Sequence, residues 1–99
     1  MARKRRFSSE PFGRTIQALM AETGTTYRAL AERTNLSAGY LNHIVHGNRP
    51  VPSGDVIRSL AAALRVEPEH FREYRIRVIA ERLEEMPDLV DRLYNRLGN

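Results

Sequence analysis

Three histidines, His43, His46 and His70, are the side chains of this sequence best suited to metal or proton chemistry, and two of them stand three residues apart. On a helix that spacing puts His43 and His46 on one face, where they would meet a metal together. A metal site needs three or four ligands, and no cysteine and no neighbouring acid completes the set. His70 lies between Glu69 and an aromatic, with Glu67 close by, and reads as a solvated surface residue. The absence of cysteine also removes disulfides and thiol nucleophiles. No Ser/His/Asp spacing, glycine-rich phosphate loop or paired-carboxylate cleft stands out. Asp55 and the many glutamates fall on helix surfaces, where acids are usually just solvated. These residues argue against an enzyme and imply neither a metal nor a cofactor.

What remains is charge. The 99 residues carry a formal net charge of +4, unevenly placed. Residues 1–52 hold eight Arg or Lys against three acids, a balance of +5, and residues 53–99 hold eight Arg against nine acids, a balance of −1. A positive field confined to one half favours an anionic partner, most commonly nucleic acid. Arg3, Lys4, Arg5 and Arg6 form a run with almost no apolar neighbours, so residues 1–10 read as a flexible basic arm. No apolar run follows the arm, which argues against a signal peptide, and no stretch approaches the roughly 20 apolar residues of a membrane span. The hydrophobic share of 41% and charged share of 28% fit one globular domain, and the lack of cysteine fits a reducing cytosol.

The elements that position these groups are helical throughout. Phe12, Ile16, Leu19 and Met20 fall at i, i+4, i+7 and i+8, one face of a helix capped by Ser9, with Pro11 in its first turn and Gly24 at its end. Thr26 caps a second, short helix to Arg33. Asn35 suits a tight turn because it tolerates positive φ. Ser37 caps a third helix from Ala38 to about His46, stopped by Gly47. Pro50 and Pro52 hold the next residues out of helix. Ser53 caps a fourth helix with the stripe Val56, Ile57, Leu60, Ala61 and Leu64. Pro68 begins a fifth, carrying Phe71 and Tyr74 and running on to about Glu85, and Pro87 opens a last one that Gly98 ends.

Two short helices joined by a tight turn form a helix-turn-helix unit. Each of its geometric demands is met. Ala31 is small where the helices cross, Asn35 takes the turn, Leu36 plugs the junction, and Leu41, Ile44 and Val45 are the buried positions of the third helix. The opposite face, Ala38, Gly39, Asn42, His43 and His46, is polar or small and free to lie in a groove.

The stretch TTYRALAERTNLSAGYLNHIVHG, residues 25–47, resembles the phage lambda repressor and Cro type of helix-turn-helix, the xenobiotic-response-element class. Residues 52–71, PSGDVIRSLAAALRVEPEHF, are similar to that family's fourth and fifth helices. The resemblance covers roughly residues 11–75. It implies an all-α fold, a five-helix bundle whose third helix docks in the DNA major groove. It implies base contacts by Ser37, Ala38, Gly39, Asn42 and His43, and DNA-backbone contacts by Thr26, Tyr27, Arg28, Tyr40, His46, Asn48 and Arg49. Tyr40 serves equally as a cover for the edge of the core. Two departures stand out. The family often has Gln where Tyr27 stands, and larger polar residues where Ala38 and Gly39 stand. Readout by hydrogen bonds then falls mostly to Asn42 and His43.

Beyond the bundle, Ile76, Ile79, Leu83, Met86, Val90, Leu93 and Leu97 follow a 3-4-3-4-3-4 spacing, a coiled-coil-like seam interrupted at Pro87. Residues 76–99 are expected to form a helical hairpin. It either packs on its own bundle or pairs two chains, and the second is favoured because an open seam exposes a large apolar patch. The expected function is a DNA-binding transcriptional regulator, by preference a repressor, acting as a homodimer on double-stranded DNA at the nucleoid. The alternative is an antitoxin or adaptor with the same bundle, whose C-terminal helices hold a partner protein.

Overall fold

Local signals set most of the helix boundaries in the computed structural model, which describes residues 7–98. The basic run Arg3, Lys4, Arg5 and Arg6 lies outside the described residues. The elements are α1 (Phe12–Thr23), α2 (Tyr27–Thr34), α3 (Ala38–Val45), α4 (Gly54–Ala63), a 3-10 turn (Pro68–His70), α5 (Arg72–Leu83) and α6 (Pro87–Leu97), with no strand among the described residues. Side chains of Thr26, Ser37 and Ser53 accept the backbone N–H three residues on and start α2, α3 and α4 as expected. Gly24 ends α1 at φ +66°, a conformation glycine adopts without a Cβ penalty.

The start of α1 departs from expectation. Its N-cap is Pro11, which offers no side-chain bond, and Ser9 does not cap it. The first-turn N–H of Phe12 instead donates to the Glu73 carboxylate, 3.2 Å away on α5. A carboxylate at a helix N-terminus also meets the positive end of the helix dipole. The last residues of the expected arm are likewise held on the bundle. Ser8 is buried, its N–H donates to the His70 carbonyl (2.8 Å), and its hydroxyl lies 2.6 Å from that of Thr15. Arg75 covers the Phe7 ring at 4.8 Å.

The expected single fifth helix is broken at Phe71. That residue is extended (φ −88°, ψ 128°) between the 3-10 turn and α5. The break lets the Phe71 ring enter the core, where it is fully buried and tilts against Phe12 at 4.9 Å between centroids. Burying a Phe side chain is worth roughly 1.5–3 kcal/mol, which offsets helical hydrogen bonds forgone at the break at about 1 kcal/mol each. His70 is half-buried with its ring edge-on to Phe71, not a solvated surface residue.

The core is one cluster of Phe12, Ile16 and Leu19 from α1, Leu30 from α2, Leu41, Ile44 and Val45 from α3, Ile57, Leu60 and Ala61 from α4, and Leu64 and Phe71. Arg58 donates to the Tyr74 hydroxyl (3.3 Å) and pairs with Asp55, and these two bonds hold its guanidinium above its ordinary basicity. Two threonine hydroxyls bond back to the carbonyl four residues earlier in their own helix, Thr23 to Leu19 and Thr34 to Leu30, both at 2.8 Å.

One close approach fixes the end of α3. A Cβ at Gly13 would overlap the carbonyl oxygen of Val45, so α1 and the last turn of α3 meet backbone to backbone. Gly13→Ala is expected to lower stability by about 1–2 kcal/mol, because overpacking against a backbone atom outweighs the ~1 kcal/mol that alanine gains in a helix. A shift of the urea midpoint to lower concentration checks this; an unchanged or raised midpoint contradicts it.

α6 packs against α5, and no residue of either helix is buried. Ile76 and Ile79 are each 56% exposed, Met86 47%, Val90 38%, Tyr94 74% and Leu97 78%. Leu83, Leu89 and Leu93 are half-buried. The first turns of α5 pack on the bundle, whereas most of the apolar stripe that runs on through α6 is uncovered.

Candidate nucleic-acid interface

The turn between α2 and α3 sets the presentation of α3. Asn35 takes φ +64°, and its N–H donates to the Ala31 carbonyl at 2.8 Å. Leu36 packs against the core from the turn, and Ala31 does so from α2. Capping at both N-termini holds this geometry: Ala29 N–H to Thr26 Oγ1 at 3.1 Å and Tyr40 N–H to Ser37 Oγ at 3.0 Å.

With Leu41, Ile44 and Val45 turned into the core, the expected outer face of α3 is exposed. Ser37, Ala38, Gly39, Asn42 and His43 are all solvent-accessible there. A Cβ built on Gly39 meets nothing within 4 Å, so internal packing does not demand glycine at this position. At Ala38 and Gly39 the outer face of α3 therefore carries almost no side chain, with polar Asn42 and His43 one turn on.

Thr26 and Arg28 flank the start of α2, and Asn48 and Arg49 follow α3; all four are solvent-accessible. Tyr27 and Tyr40 pack against the core, so their rings serve as edge cover whatever the hydroxyls do. His46 is exposed but committed in part: its Nδ1 lies 2.9 Å from the Asn42 carbonyl. A carbonyl only accepts, so Nδ1 donates and caps the end of α3. Among the described residues, no three His, Cys, Asp or Glu side chains gather into a metal-ligand set.

Three contributors escaped sequence reasoning. Gly13 fixes the end of α3, Glu73 caps α1, and Arg77 of α5 donates to the carbonyls of Val51 (3.2 Å) and Pro52 in the loop after α3. Pro50 and Pro52 were the available signal for the last. They keep the loop extended, so its carbonyls have no helical partner.

Two capped helices about a positive-φ turn, with an exposed polar face on the second, define an all-α helix-turn-helix protein of the DNA-binding class. Residues 11–74 match the helix-turn-helix domain family, and the chain belongs to that family. The match agrees with the lambda-repressor and Cro resemblance and stops just inside α5, leaving most of the C-terminal hairpin beyond it. No curated protein and no solved structure matches the chain. No helix among the described residues is long and apolar enough to cross a membrane.

Proposed function

We propose that this chain is a sequence-specific transcriptional repressor of the cytoplasmic nucleoid that docks α3 in the DNA major groove as a homodimer. The carrying observation is the exposed face of α3, where Ala38, Gly39, Asn42 and His43 lie clear of the core that anchors Leu41, Ile44 and Val45. Asn42 pairs with adenine N6 and N7, and His43 donates to guanine N7 or O6. Ala38 meets a thymine methyl, and Gly39 lets the helix backbone approach closely. The Ser37 hydroxyl, already accepting from Tyr40, keeps its own proton to donate. Thr26, Tyr27, Arg28, Tyr40, His46, Asn48 and Arg49 meet the DNA backbone on either side, and Arg3, Lys4, Arg5 and Arg6 follow it or enter a minor groove. A protein seated in the groove excludes others from the same site, which is repression.

The second copy is the occupant of the exposed hairpin face. Residues 76–98 carry four Arg against five acids, so the tail has no attraction for DNA. Interspersed charges such as Arg82, Glu84, Glu85, Asp91, Arg92 and Arg96 are instead self-complementary across a two-fold axis. The uncovered Ile76, Ile79, Met86, Val90 and Leu97, with half-buried Leu83 and Leu93, supply the apolar centre.

Asn42→Ala and His43→Ala should each cost about 1–3 kcal/mol on the preferred site and little on mixed-sequence DNA. Titration of labelled duplexes measures both. Unchanged affinity for the preferred site in both variants overturns the docking.

A further inference from the structure

We infer that Arg77 is the positioning residue through which the C-terminal helices fix the spacing between the two recognition helices; this rests on the proposed dimer. Arg77 lies on α5, one helical residue past Ile76, whose side chain belongs to the exposed apolar stripe. Its guanidinium does not seek a carboxylate. Both nitrogens donate to consecutive backbone carbonyls, Nη2 to Val51 at 3.2 Å and Nη1 to Pro52. These carbonyls belong to the loop that begins where α3 ends and that carries Asn48 and Arg49. A planar fork on two successive carbonyls fixes orientation as well as distance, which a single contact does not.

The remaining arginine ties of α5 lead elsewhere. Arg72 donates to the Ser9 carbonyl (3.0 Å) and pairs with its neighbour Glu73 (3.6 Å), and Arg75 donates to the carbonyls of Ser8 (2.9 Å), Glu69 (2.9 Å) and His70 (3.2 Å). Those two hold the N-terminal segment and the 3-10 turn, not the loop after α3. Arg77 is therefore the arginine of α5 that ties the dimerising helix to the loop leaving the recognition helix. In a two-fold dimer, a tilt of α5 against this loop is doubled between the two copies of α3. One base pair of extra spacer moves the second half-site by about 3.4 Å and turns it by about 35°, so tolerance for spacer length reports that tilt directly.

The test uses duplexes holding the site enriched by the full chain, with the spacer shortened or lengthened by one and two base pairs. The wild-type chain should prefer one spacer by about tenfold or more. Arg77→Met should remain dimeric by light scattering and lose that preference, to about threefold or less, and Arg77→Lys should fall between, since an ammonium holds one carbonyl and not both. Arg72→Met, which cuts a tie to the N-terminal segment, should keep the wild-type profile. A residue needed only for stability would lower affinity equally at every spacing. An unchanged profile in folded, dimeric Arg77→Met overturns the inference, and so does an equal flattening by Arg72→Met. A monomeric wild-type chain removes the dimer itself, and the inference with it.

Discussion

Ile79→Asp combined with Val90→Asp is expected to give a folded monomer whose affinity for a two-half-site duplex falls by at least about a hundredfold. The two side chains are 56% and 38% exposed on the hairpin and contribute nothing to the buried cluster, so the bundle should keep its melting transition. Half-buried Leu83, Leu89 and Leu93 are poorer choices, because substitutions there endanger the hairpin itself. Burying four carboxylates in a two-fold apolar interface is prohibitive, and each lone bundle then binds one half-site without its tethered partner. Light scattering at tens of micromolar and duplex titration measure the two effects. A wild-type chain that is monomeric at that concentration, or a double variant that binds as tightly as wild type, contradicts the dimer. The apolar face then serves another protein, and a second polypeptide co-purifying with the chain would identify the adaptor reading.

Removing residues 2–6 should weaken binding to every duplex and flatten its salt dependence. For every phosphate that the shortened chain no longer neutralises, the slope of log affinity against log salt becomes shallower by about 0.9. If Arg3, Lys4, Arg5 and Arg6 all reach phosphates, the slope falls by about 3.6. Between 50 and 200 mM salt the affinity of the full chain would then drop by more than about a hundredfold beyond that of the truncated one. The truncation spares the anchoring of Ser8 and Ser9 by Arg75 and Arg72, so the fold should persist. Equal salt slopes with and without these residues would show that the arm does not touch DNA.

The parts of the fold legible in the sequence are those decided within a few residues. Thr26, Ser37 and Ser53 cap because the N–H they bond lies three positions on, and Asn35 takes positive φ because its own turn demands it. The apolar periodicity of α1, α3 and α4 likewise named nearly all of the buried cluster. The illegible parts depend on distant partners. Ser9 reads as a cap until Glu73, 61 residues from Phe12 in the chain, takes over the first N–H of α1. The stretch from Pro68 reads as one helix until the ring of Phe71 is required against Phe12 in the core. Gly13 and Arg77 act through tertiary contacts with Val45 and the Val51–Pro52 carbonyls, which no periodicity announces. The two faces of α3 were legible because helical spacing alone sorts buried Leu41, Ile44 and Val45 from exposed Asn42 and His43. Its supports were not.

Selection of duplexes from a random-sequence pool by the full-length chain tests the central claim most directly. The expected result is an enriched near-palindrome of two half-sites about 10 base pairs apart, centre to centre, matching two copies of α3 roughly 34 Å apart on one face of the helix. Within each half-site the positions facing Asn42 and His43 should be the least variable, and selection with Asn42→Ala or His43→Ala should relax them. A pool that retains no sequence preference after repeated rounds would contradict sequence-specific recognition by α3.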